Sequence, residues 1–591
     1  MAANTLFREL APGTNPLGPD NKLVFATGPL NTVGVPGDVR FVVAGMSPLT
    51  GIWGEANCSG WFGDALKKAG YDALIVEGTS ESPVYIWING ENVEFRDAEH
   101  LRGKWTSETE SLVKEELGHS EVAVIAQGPA AENLVRFSAV THTAHRAAGR
   151  TGLGAVMGSK RLKAIAAKGE EKIKIEVADP GRIKELSRKI VAETFSNTST
   201  KALRKYGQAG AIPDLQDQGI LPTRNFRSGV FEGAGKISGQ TMAETVRVDT
   251  EACPRCPVAC KMVVEVKEGS FAPVGREYGG PEYENMAALG SLLGIDRLDA
   301  ICRMNMLCNA YSLDTISTGV CIAFAMDCYE NGILTKNDTN GLELTFGNAD
   351  AAVEMVEKIA LRDGLGDILA DGVRRAAQKI GKGSERFAMH VKGLEIPMHE
   401  PRGKKGLGLM YAISNRGGCH TQAMHDPDLE APNLAPEIRI TAPLSRLDTS
   451  REKVVALKKT QDYLAIVNSL VLCINIYWFG AVHYRPVELV DLLNAATGWD
   501  YDVGEFMVNG ERINTLCRAF NVREGISRKD DNLPQRLKEP LEGGPTEGQT
   551  ITDQELNRML SDYYDLCGWD PETGIPTKTK LGQLGLTLVM P

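Results

Sequence analysis

Short apolar runs closed by turn residues dominate the first ~170 positions. The stretches "KLVFATG", "VRFVVAG", "DALIVEG", "PVYIWING", "EVAVIAQG" and "LKAIAAKG" are rich in Val and Ile, and each ends in Gly. Such runs predict strands, and only short helices such as "FGDALKKAGY" fit between them. From about Asp179 the apolar positions recur every three or four residues, as on one face of a helix. This holds for "DPGRIKELSRKIVAETF", "ENMAALGSLLGIDRLDAICRMNMLCNAYSLD" and "ADAAVEMVEKIALRDGLGDILADGVRRAAQKIG". A loop-rich passage is expected from about Val391 to Asp448. Helices resume with "REKVVALKKTQDYLAIVNSLVLC" and continue to the end, interrupted by a polar Pro/Gly loop at 536–552. There is no short-period repeat. The pattern predicts an α+β fold: a β-rich domain over 1–175, a mainly helical domain over 176–390 and a mainly helical C-terminal domain over 391–591.

One run, residues 463–484, is apolar enough to raise the question of a membrane span. It carries Asn468, Ser469 and Asn475 and is bracketed by Asp462 and Arg485. A span needs about 20 mainly apolar residues, so a buried core segment is the expectation. The opening "MAANTLFREL" has no basic stretch followed by an apolar one, which argues against a signal peptide and for a cytoplasmic protein. The net charge of -11, with no block of Lys or Arg, argues against nucleic acid or an acidic membrane as partner. Twelve cysteines without even spacing argue for reduced thiols rather than a disulfide framework. Cys302, Cys308, Cys321, Cys328, Cys517 and Cys567 stand among apolar residues and are expected in the core.

The clustered cysteines carry chemistry. In "EACPRCPVACKM", Cys253, Cys256 and Cys260 are spaced C-x2-C-x3-C, with no second knuckle and no His within 80 residues on either side. A close triplet completed by one distant thiolate suits a [4Fe-4S] cluster. A zinc site is the alternative. In "HRAAGRTGLGAVMGSKRLKAIA", Gly149, Gly152, Gly154 and Gly158 would let backbone amides approach a phosphate, with Arg146, Arg150, Lys160 and Arg161 nearby. It is neither a Walker loop nor a dinucleotide fingerprint, and a structural turn is the other reading. "GGPEYEN" and "SNRGGCHTQ" supply Glu284 and His420, a candidate acid/base pair. The plainer alternatives are a carboxylate at a helix N-terminus and a loop histidine.

These features, in this order, resemble the tungsten-dependent aldehyde ferredoxin oxidoreductase family. "SPLTGIWGEANCSGWFGDALKKAGYDALIVEG", "HRAAGRTGLGAVMGSK", "CPRCPVAC", "GGPEYEN", "LDTISTG", "NRGGCH" and "GWDPETGIPTKTKLGQLGL" all look like family stretches, and the likeness runs from about residue 15 to the end. The resemblance implies tungsten, or molybdenum, between two pterins cradled by the β-rich domain, with a nearby [4Fe-4S] cluster. It implies Cys473 as the fourth cluster ligand. Arg40, Asn57, Ser59, Arg146 and Ala147 match positions that hold the pterins, and the backbone carbonyls of Asn57 and Ala147 match those on a bridging Mg ion. Asn309, Asp314, Asn468 and Leu472 match pterin contacts. Glu284 and His420 match the polar pair beside the metal. The pterin sulfurs ligate the metal, so no residue need do so. The implied reaction is oxidation of an aldehyde with water to a carboxylic acid, with electrons leaving through the cluster to ferredoxin or an electron-transfer subunit. Relatives on this scaffold also include subunits that reduce aromatic-ring thioesters in larger complexes. A non-enzymatic, zinc-stabilised binding protein is the remaining alternative. The assembly is expected to be a homodimer or a hetero-oligomer.

The chain departs from the family pattern at specific places. Two D-x-x-G-L-[CD] segments read "NAYSLD" (309–314) and "NSLVLC" (468–473), with Asn309 and Asn468 for Asp and with Ser312 and Val471 for Gly. Asn keeps an acceptor, adds donors and loses the charge. Gln422 replaces a lysine. Arg303 replaces a glutamate that in some members binds an inter-subunit iron, so that iron is not expected. Relatives begin earlier in the β domain, and the first ten residues look like its interior, so the expectation is either a start assigned too far downstream or a truncation that leaves sheet edges unpaired.

Overall fold

The computed structural model describes residues 1–170, 173–477 and 485–587. Each of the six apolar runs is a strand, and four further strands lie between them. In order these are β1 (Leu23–Ala26), β2 (Phe41–Met46), β3 (Trp53–Cys58), β4 (Ala73–Val76), β5 (Val84–Asn89), β6 (Asn92–Asp97), β7 (Ala123–Ala126), β8 (Val140–His142), β9 (Arg146–Ala148) and β10 (Leu162–Lys168). One sheet has the order β3-β2-β1-β4 and is antiparallel throughout. The second has the order β6-β5-β10-β7-β8-β9, with only β5 and β10 parallel. Phe25, Phe41 and Val43 of the first sheet meet Ile86, Ile125 and Ile165 of the second in one core, with Phe62 and Leu66 of the short helix Phe62–Lys68.

The first residues are not strand. They form the helix Ala2–Glu9, whose Leu6 packs with Leu10, Val24, Met46 and Trp53 and with Phe520 from the far end of the chain.

The rest of the chain is mainly helical, as the periodicity predicts. Several long helices start on side-chain caps, which satisfy amides that no helical carbonyl can reach. Asp179, Asp314, Ser450 and Asp502 play this part for Pro180–Ser196, Thr315–Glu330, Arg451–Ser469 and Val503–Arg523. A continuous apolar core runs from Ile183 to Trp569 through these helices and contains Cys302, Cys308, Cys321, Cys328 and Cys567, while Cys517 is buried in the smaller cluster under Ala2–Glu9. The passage expected to be loop contains the helix Lys405–Ile413, all nine residues of which are buried. A helix buried on every side has no polar face, so its period is invisible in the sequence.

The apolar run splits. The helix Arg451–Ser469 ends within it, and Leu470, Val471, Leu472, Ile476 and Tyr477 are buried. Residues 478–484 of the run lie outside the described residues. No described helix is long and apolar enough to cross a membrane.

Candidate active site

The β-rich part and the helices enclose a cavity with ≈ 1830 Å³ of space not filled by protein atoms, the solvent at its mouth included. Arg40, Asn57, Ser59, Arg146, Ala147, Glu284, Asn309, Asp314, His420, Asn468 and Leu472 all line it, as do Cys253, Cys256, Cys260 and Cys473. Residues scattered over more than 400 positions thus meet around one cavity.

The cysteine triplet occupies the turn of a hairpin made by β11 (Arg247–Glu251) and β12 (Lys261–Val264). Arg255 (φ 57°) and Ala259 (φ 50°) take left-handed backbone, which folds the turn tightly. Arg255 bonds to Asp38 (3.0 Å) and Asp64 (2.8 Å) and so ties the turn to the β-rich part. Cys473 arrives from the other side, its amide donating to the Gly37 carbonyl at 3.2 Å. Gly37 (φ +80°) is required there, because a Cβ would stand 3.0 Å from the Cys473 Cβ. Arg40 Nη1 lies 3.7 Å from Cys473 Sγ, and Asn475 Nδ2 lies 3.4 Å from Cys260 Sγ. Burial pushes the Cys256 thiol up to about 12 and raises those of Cys260 and Cys473. Among the described residues no three of these sulfurs lie within 4.8 Å of one another. In a tetrahedral zinc site they would sit about 3.8 Å apart.

On the β-rich wall, Asn57 comes from β3 and Arg146 and Ala147 from β9. Asn57 Nδ2 donates to Asn468 Oδ1 (3.2 Å), and its own Oδ1 is buried without a partner. Arg146 pairs with Glu251 (3.2 Å) and lies over the Trp61 ring (4.8 Å). Glu251 and its second partner His145 (2.9 Å) also line the cavity, and the sequence reading did not single them out. The phosphate reading of the Gly-rich run needs correction. A Cβ at Gly152, Gly154 or Gly158 would stand 1.9, 2.2 or 2.0 Å from the carbonyl oxygen of Arg136, Ala139 or Ala131, so these glycines permit backbone packing. Lys160 donates to the carbonyls of Pro19 and Gly78, and Arg161 to that of Glu81, off the cavity wall. Gly149 and Arg150 do reach the wall, and Arg150 Nη1 is buried without a partner.

The two departing segments form equivalent helix ends. Leu298–Tyr311 ends in Ser312 (φ 62°) and Arg451–Ser469 in Leu470 and Val471 (φ 57°). Ser312 N bonds to Asn309 O and Leu313 N to Cys308 O; Val471 N bonds to Asn468 O and Leu472 N to Val467 O. Both are left-handed helix stops of the kind that favours glycine, which explains the family pattern at these positions. Ser312 is anchored by its hydroxyl, which accepts from Gly128 N (2.8 Å). Asn309 Nδ2 donates to Tyr278 O (3.0 Å), a bond that a carboxylate could not make. Asp314 is committed as a cap, accepting from Ile316 N and Ser317 Oγ. At the other departures, Gln422 Oε1 accepts from Ser414 Oγ (2.7 Å) and Arg303 donates to Pro273 O (2.9 Å).

Glu284 lies in the first turn of Tyr283–Leu289. Its Oε2 accepts from Met398 N (2.9 Å). Its Oε1 is buried with no well-aligned donor, but His399 Nε2 stands 2.9 Å away and His420 Nε2 3.5 Å. Burial pushes His420 down to about 3, against the pull of Glu284, so its imidazole is neutral. Behind the pair, His399 and His425 rings meet edge to face at 4.3 Å, and Lys404 Nζ donates to His399 Nδ1 at 3.0 Å. The sequence reading missed His399, Lys404 and His425. Three of the nine histidines fall between 399 and 425, and that density was the available signal.

Comparison with known proteins accounts for this arrangement. The family model described as the N-terminal domain of aldehyde ferredoxin oxidoreductase matches residues 1–169, and that of its domains 2 and 3 matches residues 185–586. A tungsten-containing aldehyde ferredoxin oxidoreductase of Pyrococcus horikoshii is 42% identical over 98% of this chain and 93% of its own. A WOR-like subunit of an aliphatic sulfonate oxidoreductase of Pyrococcus furiosus is 32% identical over 97% of this chain and 89% of its own. Among solved structures, the active-site complex BamBC of benzoyl coenzyme A reductase superposes with a TM-score of 0.84 at 26% identity, covering 99% of this chain and 92% of that one. Because both family models match in order and the likeness runs nearly end to end, the chain belongs to the aldehyde ferredoxin oxidoreductase family and is an oxidoreductase.

Proposed function

We propose that the protein oxidises aldehydes to carboxylic acids with water at a tungsten bis-pterin centre. Electrons would leave through a [4Fe-4S] cluster on Cys253, Cys256, Cys260 and Cys473 to ferredoxin or a similar carrier. The observation that carries the reading is that one cavity is lined both by four converging cysteines and by the close Glu284–His420 pair. The wall fits the implied groups. Asn57 Oδ1 and Arg150 Nη1 are buried polar atoms on it that lack partners, and Arg40 and Arg146 supply positive charge for pterin phosphates. Ser59, Asn309, Asp314, Asn468 and Leu472 would complete the pterin contacts, and the carbonyls of Asn57 and Ala147 would face the Mg ion. The bound tungsten centre supplies the two-electron oxidising chemistry.

The residues of the chain handle protons and charge. Neutral His420 donates one hydrogen bond to the oxygen that gains negative charge at the carbonyl. Glu284, held by Met398 N, takes the proton released by water. In this reading the aldehyde would sit in the cavity that both this pair and the β-rich part line. The P. horikoshii relative, named as an aldehyde oxidoreductase, is more similar in sequence than the sulfonate oxidoreductase subunit or the benzoyl coenzyme A reductase complex. The benzoyl coenzyme A reductase likeness keeps aryl-thioester reduction as the rival reaction.

Anaerobic purification with metal analysis, followed by an aldehyde panel against viologen and ferredoxin, tests the proposal. Tungsten (or molybdenum) with iron and aldehyde-dependent viologen reduction are expected. Zinc alone, or activity only on an aryl-CoA thioester with co-purifying flavin or iron-sulfur subunits, would refute it. Near-wild-type activity in both Glu284→Gln and His420→Ala would refute the roles of that pair.

A further inference from the structure

Glu284 needs somewhere to send the proton it takes, and it is buried. Its Oε1 lacks an aligned donor, and the nearest ring nitrogen is His399 Nε2 at 2.9 Å. Catalytic contacts are often poorly aligned until substrate binds. On the far side of the same ring, Lys404 Nζ donates to Nδ1 at 3.0 Å. His399, Lys404 and Glu284 are buried or nearly so, and the backbone around the ring is fixed, with Tyr411 Oη donating to the His399 carbonyl at 3.1 Å. An ammonium can only donate, so His399 carries its hydrogen on Nε2 and points it towards the carboxylate.

We propose that Lys404 and His399 form a proton relay that discharges Glu284, with the His399 ring passing the proton on and Lys404 as its acceptor. The inference rests on the aldehyde-oxidation reading for the source of the proton. The step balances without electrons. Protonated Glu284 gives its proton to His399 Nε2, and the Nδ1 proton of the same ring passes to the neutral Lys404 amine. The products are the Glu284 carboxylate, His399 with hydrogen on Nε2, and the Lys404 ammonium. In this product state the Lys404 ammonium donates to His399 Nδ1 at 3.0 Å, and the Nε2 hydrogen is on the side of the Glu284 carboxylate, 2.9 Å away.

The surroundings suit a lysine that cycles. Burial lowers Lys404 to about 8, while Asp426, Glu284, Asp428 and Glu400 pull it upward. Of these, Asp426 is engaged by Lys453 (3.0 Å) and Glu400 by Arg402 (2.8 Å). His399 and His425 face Lys404 as well, and burial keeps both neutral. An amine poised near neutrality can accept and release a proton within a turnover, as an ordinary surface lysine cannot.

The test uses the oxidised holoenzyme with ¹⁵N-labelled histidine. His399, assigned by the signal lost in His399→Gln, should show hydrogen on Nε2 and a bare Nδ1 whose shift titrates with a midpoint near that of Lys404. In the wild type, kcat should rise with the same midpoint. Lys404→Arg keeps the charge and the donor but cannot give up its proton. It should retain iron and tungsten content and the Nε2–H tautomer, lose the titration, and lose about tenfold or more in kcat with little change in KM. His399→Gln preserves both hydrogen bonds without relaying and should behave alike if the arginine does not fold. Wild-type kcat and pH profile in either folded variant, or a His399 signal indifferent to Lys404, would overturn the relay. A wild type that shows the titration but turns over no aldehyde would refute the proposed reaction and support the relay as a proton-transfer unit.

Discussion

Replacing Glu284 with Gln should weaken the fold in a way that depends on pH. In the wild type the carboxylate accepts from Met398 N and receives the approach of His399 Nε2. Glutamine has one oxygen and one NH2. If the oxygen stays on Met398 N, the NH2 meets the His399 N–H, two donors face to face. Leaving that conflict in place costs about 1–3 kcal/mol. The alternative is for His399 to move its hydrogen to Nδ1, which requires Lys404 to lose its proton. With Lys404 at about 8, that costs on the order of 1 kcal/mol at about pH 7. It costs less in the variant, because the Glu284 charge that helped hold the proton is gone. Deprotonation is therefore the cheaper route, with a penalty of about 1 kcal/mol at about pH 7.

The sign follows from the protons bound. Unfolded, both proteins protonate this lysine alike. Folded, the variant holds one proton fewer than the wild type below about pH 8, so its stability rises relative to the wild type as pH increases. The gap should close by up to about 1.4 kcal/mol per pH unit until wild-type Lys404 also deprotonates near 8, then stay level. Denaturant unfolding of the two proteins in parallel across about pH 6.5 to 9 reads this directly. A gap that is flat with pH, or that widens towards alkali, refutes the reasoning. The same variant should lose about 10²–10⁴ in kcat for want of its base.

Three further outcomes follow from local geometry. At position 471, Gly should be more stable than Ala by about 1 kcal/mol, the reverse of the order in a helix interior, because both remove the valine side chain but only Gly relieves the left-handed backbone; a higher Tm for Val471→Ala than for Val471→Gly refutes it. Cys473→Ser should lower bound iron and abolish the absorbance of the cluster, and unchanged iron and spectrum would reopen the choice of fourth ligand. Asn309→Asp would set a carboxylate against the Tyr278 carbonyl and should cost about 1–3 kcal/mol, measured as a fall in Tm that Asn309→Ala does not exceed.

The legible strands carry runs rich in Val, Ile and Ala, buried on both faces in β7 and β10 and partly exposed in β4. β3, "WGEANC", and β6, "NVEFRD", were not, because one turns polar residues to the cavity and the other lies exposed at a sheet edge. The same physics hid Lys405–Ile413. The cavity-lining residues were legible mainly through resemblance, since Arg40, Asn57 and Asn468 have no local pattern and meet only through the tertiary fold. Lys160 and Arg161 show the converse error. They follow the glycines closely in sequence, but the helix Leu153–Ser159 carries them to another surface. His399 and Lys404 were missed because neither belongs to a motif, and their chemistry exists only in their distances to Glu284.

The four cysteines also have a mechanical consequence. Cys260 and Cys473 are separated by more than 200 residues, and a cluster bound to both would act as a cross-link closing that whole loop. By the entropy of loop closure such a link is worth about 5 kcal/mol against the unfolded chain, comparable to the net stability of many domains. A chain that has not received its cluster would then be a looser object, open to proteases and to further cofactor loading. Insertion of iron and sulfur would be the event that locks the two helical regions together. Oxidative loss of the cluster would undo the staple as well as the wire.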